Sequence, residues 1–210
     1  MSEVEQRIEY DDEKHEYSLD GVKIPGVTEI LSPITSGGYS KINPAVLEHA
    51  AMKGTLVHEW CEMYDYGCAE ESMPTELIGY CQAYAEFCEV YKPEWTGIEE
   101  MVYEPTTGYA GRIDRFGILN GVEKALVDIK TIQSPSTKNH ISVCCQTAAY
   151  AFALGEESAH RYALYLKQDG TFRFMDCREF EEKNNFNGEG LFFQLFDIYD
   201  AINRIGRRKK

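Results

Sequence analysis

No apolar run in this chain of 210 residues approaches the roughly 18 that a membrane-crossing helix needs. Cations are scarce as well. The 21 Lys and Arg stand against 35 Asp and Glu, a net charge of −14, which argues against a protein that coats nucleic acid non-specifically. The opening stretch MSEVEQRIEYDDEKHEY is acidic and has no apolar centre, so it lacks the pattern of a secretory signal. Seven cysteines, an odd number, give no disulfide framework, and a reduced, cytoplasmic setting without a membrane partner is expected. Internal repeats, low-complexity segments and linkers are also missing, which leaves one domain.

The charge that is present is uneven. Residues 54–104 hold twelve acids and one lysine, a balance of −11, whereas residues 105–150 hold five basic residues and three acids, a balance of +2. The tail NRIGRRKK adds five positive charges, either a grip on phosphates or a solvated end.

Hydrophobic periodicity orders the chain. RIEYDDEKHEYSLDGVKIPG reads as a hairpin turning at LDG, followed by a short helix VTEILSPI ended by Pro33 and a loop SGGYSKINP. Residues 44–67 and 75–93 have helical spacing and stop at Gly67 and Pro93. The period then changes to two. GIEEMVYE, YAGRIDRFGIL and ALVDIKTI follow one another across short turns, which predicts an antiparallel meander. HISVCCQTAAYAFALG reads as a helix, RYALYLKQDGTFRFMD as a hairpin and GLFFQLFDIYDAINRIG as a closing amphipathic helix. The predicted fold is α+β on a central sheet. Residues 1–42 form an N-terminal hairpin and short helix belonging to the same domain as residues 43–210.

One octapeptide raises the chemical question. In ALVDIKTI, Asp128 and Lys130 share a strand face, because alternate strand residues point the same way. A surface ion pair is the plain explanation. The preceding strand, however, supplies Asp114 between Gly111 and Gly117, and glycine inside a strand often marks close approach. Two carboxylates on neighbouring strands make a hard-oxygen site suited to Mg²⁺ or Mn²⁺, and a lysine beside it can stabilise charge on a phosphate.

Asp114 followed by Asp128-Ile129-Lys130 resembles the signature of the PD-(D/E)xK nuclease superfamily. Further wording is similar to its RecB-like branch: KGTLVHEW with His58, DIKT with Thr131, and QTAAY with Gln146 and Tyr150, one helical turn apart. A Glu upstream of AGRID is common there, and Glu99 fits. The motifs stand in family order over residues 50–168, and their wording looks closest to phage exonucleases and the mitochondrial genome maintenance exonuclease.

The resemblance implies a restriction-endonuclease-like core, αβββαβ with a mixed central sheet flanked by helices, here with an N-terminal hairpin and a C-terminal helix. It implies a Mg²⁺- or Mn²⁺-dependent deoxyribonuclease acting on single-stranded DNA or DNA ends. The expected ligands are His58, Asp114, Asp128 and the carbonyl of Ile129, with Glu99 as a further candidate. Asp114, Asp128 and Lys130 are the expected catalytic residues, Lys130 acting either on the attacking water or on the phosphate charge. Gln146, Tyr150 and Thr131 are the expected substrate contacts. A recombination or single-strand-binding protein is an implied partner, and a bacterial host cytoplasm the setting if a phage encodes the chain. Some relatives carry four cysteines around an iron–sulfur cluster. Here only Cys177 follows the QTAAY helix, so no cluster is expected.

Other readings stay open beside this one: a structure-specific or restriction-type endonuclease on the same fold, or a catalytically silent scaffold. Glu62, one turn beyond His58, is a further ligand candidate or a surface charge. Glu104 reads as a strand-end surface charge. Cys61 with Cys68 and Cys81 with Cys88 are spaced to share helix faces, as core thiols rather than a metal site. Tyr103 and Tyr109 would pack in strands rather than stack on bases. An acidic exterior would admit DNA through a narrow channel.

Overall fold

The computed structural model describes residues 8–11, 14–35, 43–69 and 73–207. Part of the loop at 36–44 and the end of the basic tail therefore lie outside the described residues.

The N-terminal segment forms three antiparallel strands rather than the expected hairpin: β1 (Ile8–Asp11), β2 (Glu16–Leu19) and β3 (Val22–Ile24). Leu19 pairs with Val22 across Asp20 and Gly21, both with positive φ (49° and 79°). That is the mirror-image two-residue turn that matches strand twist, and the Asp-Gly pair is suited to it. Two short helices follow, α1 (Val27–Ile30) and α2 (Ser32–Thr35). Pro33 lies in the first turn of α2, where a missing N–H costs nothing, and so does not end the helix as expected. Ala110 donates its N–H to Pro25 O (3.0 Å), and Val27, Ile30 and Leu31 enter the main core.

α3 (Pro44–Asp65) is capped by the Asn43 side chain, which accepts from Ala45 N (3.0 Å), with Pro44 at the first helical position. α4 (Ile78–Tyr91) ends at Lys92 in the left-handed conformation. Then come β4 (Glu94–Glu104), β5 (Tyr109–Leu119), β6 (Glu123–Lys130), α5 (Thr137–Leu154), β7 (His160–Leu166), β8 (Phe172–Asp176), α6 (Cys177–Lys183) and α7 (Gly188–Arg207).

The sheet order is β4-β5-β6-β7-β8, antiparallel except for the β6–β7 pair. A parallel pair needs a crossover, and α5 supplies it. The fold is thus α+β with a mixed five-stranded sheet and flanking helices. Val57, Cys61, Tyr84 and Phe87 of α3 and α4 pack on Ala125, Val127 and Ile129. Cys145, Ala149 and Phe192 of α5 and α7 pack with Leu126 and Ile113. The alternation in β6 sends its odd-numbered residues towards α3 and α4, and puts Leu126, Asp128 and Lys130 on the α5 side.

α5 is buried all round from Ser142 to Ala151, which its short Thr and Ala side chains permit. Adjacent Cys144 and Cys145 consequently enter two different core clusters. Cys61, Cys81 and Cys177 are buried thiols, whereas Cys68 is exposed, because α3 has ended before it. α6 was not anticipated. No helix among the described residues is long and apolar enough to cross a membrane.

Candidate functional site

The β5–β6 ladder runs from Leu119↔Glu123 to Arg115↔Val127 and stops there. Beyond it the strands part, and Asp114 fills the opening. Its Oδ2 accepts the Ile129 N–H at 2.6 Å, which replaces a lost ladder bond with a charge-assisted one. Asp114 is 8% exposed, so its carboxylate is nearly withdrawn from solvent.

α3 runs past the end of β6. A Cβ on Gly54 would lie 3.7 Å from Thr131 Oγ1, and one turn later His58 Nε2 donates to the Ile129 carbonyl at 3.1 Å. That bond leaves Nδ1 turned towards carboxylates: Glu99 Oε1 at 3.3 Å and Asp114 Oδ1 at 3.8 Å. Burial pulls the His58 pKa down, but Asp114 and Glu99 outweigh it and the net direction is up. Glu99 sits in β4 with φ +47°, an uncommon conformation for a residue without a glycine's freedom. Burial would raise its pKa, yet His58 and Arg115 together hold it below the usual value.

His58, Glu99 and Asp114 offer ligand atoms all within 4.8 Å of one another, a nitrogen and two carboxylates. Asp128 and Glu62 are outside that group. Asp128 lies next to it, fully buried, with neither carboxylate oxygen meeting an aligned hydrogen-bond donor. Lys130 Nζ stands 2.7 Å from its Oδ2 as an ion pair. Burial, with Asp114 adding to it, raises the Asp128 pKa to about 6 against the opposing pull of Lys130. Burial depresses the Lys130 ammonium, but Asp128 and Asp114 more than restore it, so its pKa is raised.

On α5, Gln146 Nε2 donates to Tyr150 Oη at 3.1 Å, and both side chains are buried. A Cβ on Gly111 would fall 2.3 Å from Tyr150 Cε1, so glycine is required for the ring to lie against β5. Lys130 and Gln146 line one shared cavity. Thr131 is at the α3 side, and Gln133 Nε2 and Lys53 Nζ both donate to Tyr80 Oη, at 2.9 and 3.1 Å. The structure thus gathers His58, Glu99, Asp114, Asp128, Lys130 and Ile129 at the open end of β5 and β6, with Gln146 and Tyr150 on one side and Thr131 on the other.

Three residues that sequence reasoning passed over support this group. Arg115, fully buried, donates Nε to Asp65 Oδ2 (2.6 Å) and Nη1 to Glu99 Oε1 (3.1 Å) and to the Asp114 carbonyl (2.6 Å). Tyr84 Oη donates to Asp65 Oδ2 at 2.7 Å. The one local signal is an arginine next to Asp114 in a strand; Asp65 lies 50 positions away.

Glu104 is not the surface charge that its place at a strand end suggests. It is buried, and accepts from Thr106 N (2.9 Å), Thr107 N (2.7 Å) and the Thr107 hydroxyl, because the PTTG turn folds back over it. Tyr109 packs as expected: it is buried edge-on against Phe192 and donates to Ala149 O at 2.9 Å.

No protein-family model matches the chain, and no curated protein matches it. A solved crystal structure of a protein named SSO0001 is similar over 72% of this chain and 74% of its own, at 12% identity and a TM-score of 0.32.

Proposed function

We propose that the protein is a divalent-metal-dependent DNA exonuclease of the PD-(D/E)xK type, built on a restriction-endonuclease-like core. One observation carries the reading. His58 of α3, Glu99 of β4 and Asp114 of β5 converge where two strands part, one nitrogen and two carboxylates within 4.8 Å of one another, beside the buried Asp128–Lys130 pair of β6. Carboxylates gathered this closely repel one another unless a cation lies between them. The crossover of β6, α5 and β7 in parallel also suits the proposed core.

The residues fit a hard divalent cation. His58, Asp114 and Glu99 would hold it, with Asp128 alongside, and the mixture of imidazole and carboxylates suits Mn²⁺ or Mg²⁺. When bound, such an ion lowers the pKa of a coordinated water and neutralises phosphate charge. The protein's own groups do the rest. Asp114 is fixed by the Ile129 N–H, and Glu99 by Arg115. Lys130, an ammonium already paired with Asp128, would face a phosphate oxygen and stabilise its growing charge. In the hydrolysis, water oxygen forms a new bond to phosphorus and the bond to the 3′-oxygen breaks, which leaves a 5′-phosphate and a 3′-hydroxyl.

The test uses end-labelled linear and circular single-stranded DNA with Mg²⁺, Mn²⁺ or chelator. Shortening of the linear strand alone, lost in Lys130→Ala and Asp114→Asn, is expected. Cleaved circles would instead mean an endonuclease, and no cleavage under any metal would leave a binding scaffold. Melting of the chelator-treated protein supplies a separate readout. Added Mn²⁺ should raise the Tm of the parent and not of Asp114→Asn; at one hundred times Kd the stabilisation is about 2.7 kcal/mol.

A further inference from the structure

The cavity beside Lys130 has a volume of about 260 Å³ and lies between α1, α2, the end of β6 and α5. It differs in charge from the other cavities described. Those between α5 and α6, beside β3 and α7, and at β8 and α6 each carry at least two carboxylates. Among the described residues this one carries none, in a chain with 35 acids. Its single charge among the described residues is Lys130. The remaining polar groups are neutral, chiefly Thr28, Asn139, Ser142 and Gln146, set against apolar Leu31.

Asn139 Oδ1 is committed to Ser136, but Gln146 and Ser142 keep capacity for a ligand. Gln146 uses its amide Nε2 on Tyr150, so its carbonyl oxygen is held in a fixed orientation. Ser142 is 9% exposed, and its hydroxyl has no hydrogen-bond partner among the described residues. Neutral donors and acceptors over an apolar wall suit the edge and face of an uncharged heteroaromatic ring. They do not suit a second phosphate, for which a second cation would be needed. The volume is below the roughly 300–1,000 Å³ of a pocket for a drug-sized ligand, which restricts the occupant to about one nucleoside and excludes a base pair.

We infer that this cavity is a subsite for one unpaired nucleobase of single-stranded DNA, adjoining the phosphate that Lys130 faces. The inference rests on the nuclease reading above and narrows it. A base must leave its partner to enter, so duplex DNA is cleaved only where its end has frayed. Specificity follows from the same lining. The Ser142 and Thr28 hydroxyls donate or accept, and each of the four bases carries an N–H that the fixed Gln146 carbonyl can accept, so the subsite requires a base without selecting among the four.

The test is a set of single-stranded oligonucleotides in which one abasic nucleotide is walked along the chain. Cleavage with Mn²⁺ and binding in chelator are both measured. For the parent protein, one phosphate flanking the abasic position should be cut about tenfold more slowly than in the intact strand. Ser142→Leu, which fills the cavity, should lower the intact-strand rate to the abasic-strand rate, with the difference between the two substrates lost. Thr28→Leu, at the exposed rim, repeats the test where folding of the Ser142 variant fails. Equal cleavage of intact and abasic strands overturns the subsite and leaves the nuclease reading standing. If no strand is cut, the nuclease reading falls, and binding in chelator decides the cavity: equal affinity for intact and abasic strands overturns it as well.

Discussion

Glu104 and Arg115 show how single charged residues are used in this acidic chain. Burial would raise the Glu104 pKa, but the hydrogen bonds from Thr107 and Thr106 overcome it and hold the carboxyl below its usual value. A depressed pKa means stability that is complete above the unfolded value and lost as pH falls through the folded one. Glu104→Gln should therefore cost about 1–3 kcal/mol at pH 7, since an amide cannot accept three donors as a carboxylate does. Denaturant unfolding should show the gap between variant and parent closing below about pH 4; a gap constant with pH would mean that packing, not charge, holds the turn. Arg115 is the more severe case. Arg115→Met leaves Asp65 with its tyrosine partner alone and removes the donor that fixes Glu99. Breaking a buried ion pair from one side costs roughly 3–5 kcal/mol. A urea midpoint close to the parent's would show that Asp65 finds solvent or another donor. Neither residue was legible in the sequence. Glu104 resembles any strand-end acid, and the Arg115 partner is remote along the chain, so burial of the two could be learned only from the fold.

At the scale of elements, the meander, the α5 helix and the β7–β8 hairpin were legible because period-two alternation, helical spacing and Asn-Gly and Asp-Gly turns each state a local preference that the fold keeps. Asn120 and Gly121 have φ of 51° and 73°, and the α5 cap is Ser136 accepting from Asn139 N. Helix starts were less legible: α5 begins at Thr137, three residues before its apolar run, since a first turn needs only a cap and not a buried face. The missed α6 has seven residues, mostly charged, and its signal was an Asp176 cap accepting from Glu179 N. β3 is three residues long, two of them exposed, too short to show alternation. The candidate site was legible as a list of residues from different elements. The parting of β5 and β6 that makes room for it was not, because strand pairing leaves no local trace. Gly111 is where the two elements of the site press together. Gly111→Ala would put a methyl group into the Tyr150 ring, which is 3% exposed and has nowhere to move. Overpacking of this kind costs about 1–3 kcal/mol. Because Tyr150 holds Gln146, oligonucleotide affinity in chelator should fall together with the Tm. A variant that melts early but binds as the parent does would separate the α5 face from the substrate.

For the whole molecule, the net charge of −14 sets the terms on which DNA could approach. Many described cations are already committed to carboxylates: Lys23 to Glu16, Lys124 to Glu156, Arg115 to Asp65 and Arg161 to Glu181. Near the candidate site stand two ammonium groups, Lys130, which is paired with Asp128, and Lys53, which donates to Tyr80 Oη. Lys53 is steadied by the Tyr80 ring 5.0 Å away rather than by an acid. A polyanion held by these two groups, and not by the exposed Lys92, Lys138 or Arg173, would meet a narrow entrance. The consequence is a number of phosphate contacts far below that of a basic groove. Each phosphate neutralised on a single strand contributes about −0.7 to the slope of log Kobs against log salt. Two ammonium groups therefore predict a slope of about −1.4 for single-stranded DNA in chelator, falling to about −0.7 in Lys53→Met. A slope near zero would mean that phosphates are not held at all and would remove the channel. A slope steeper than about −4 would require at least six contacts and an extended basic surface, contrary to the charge distribution described here.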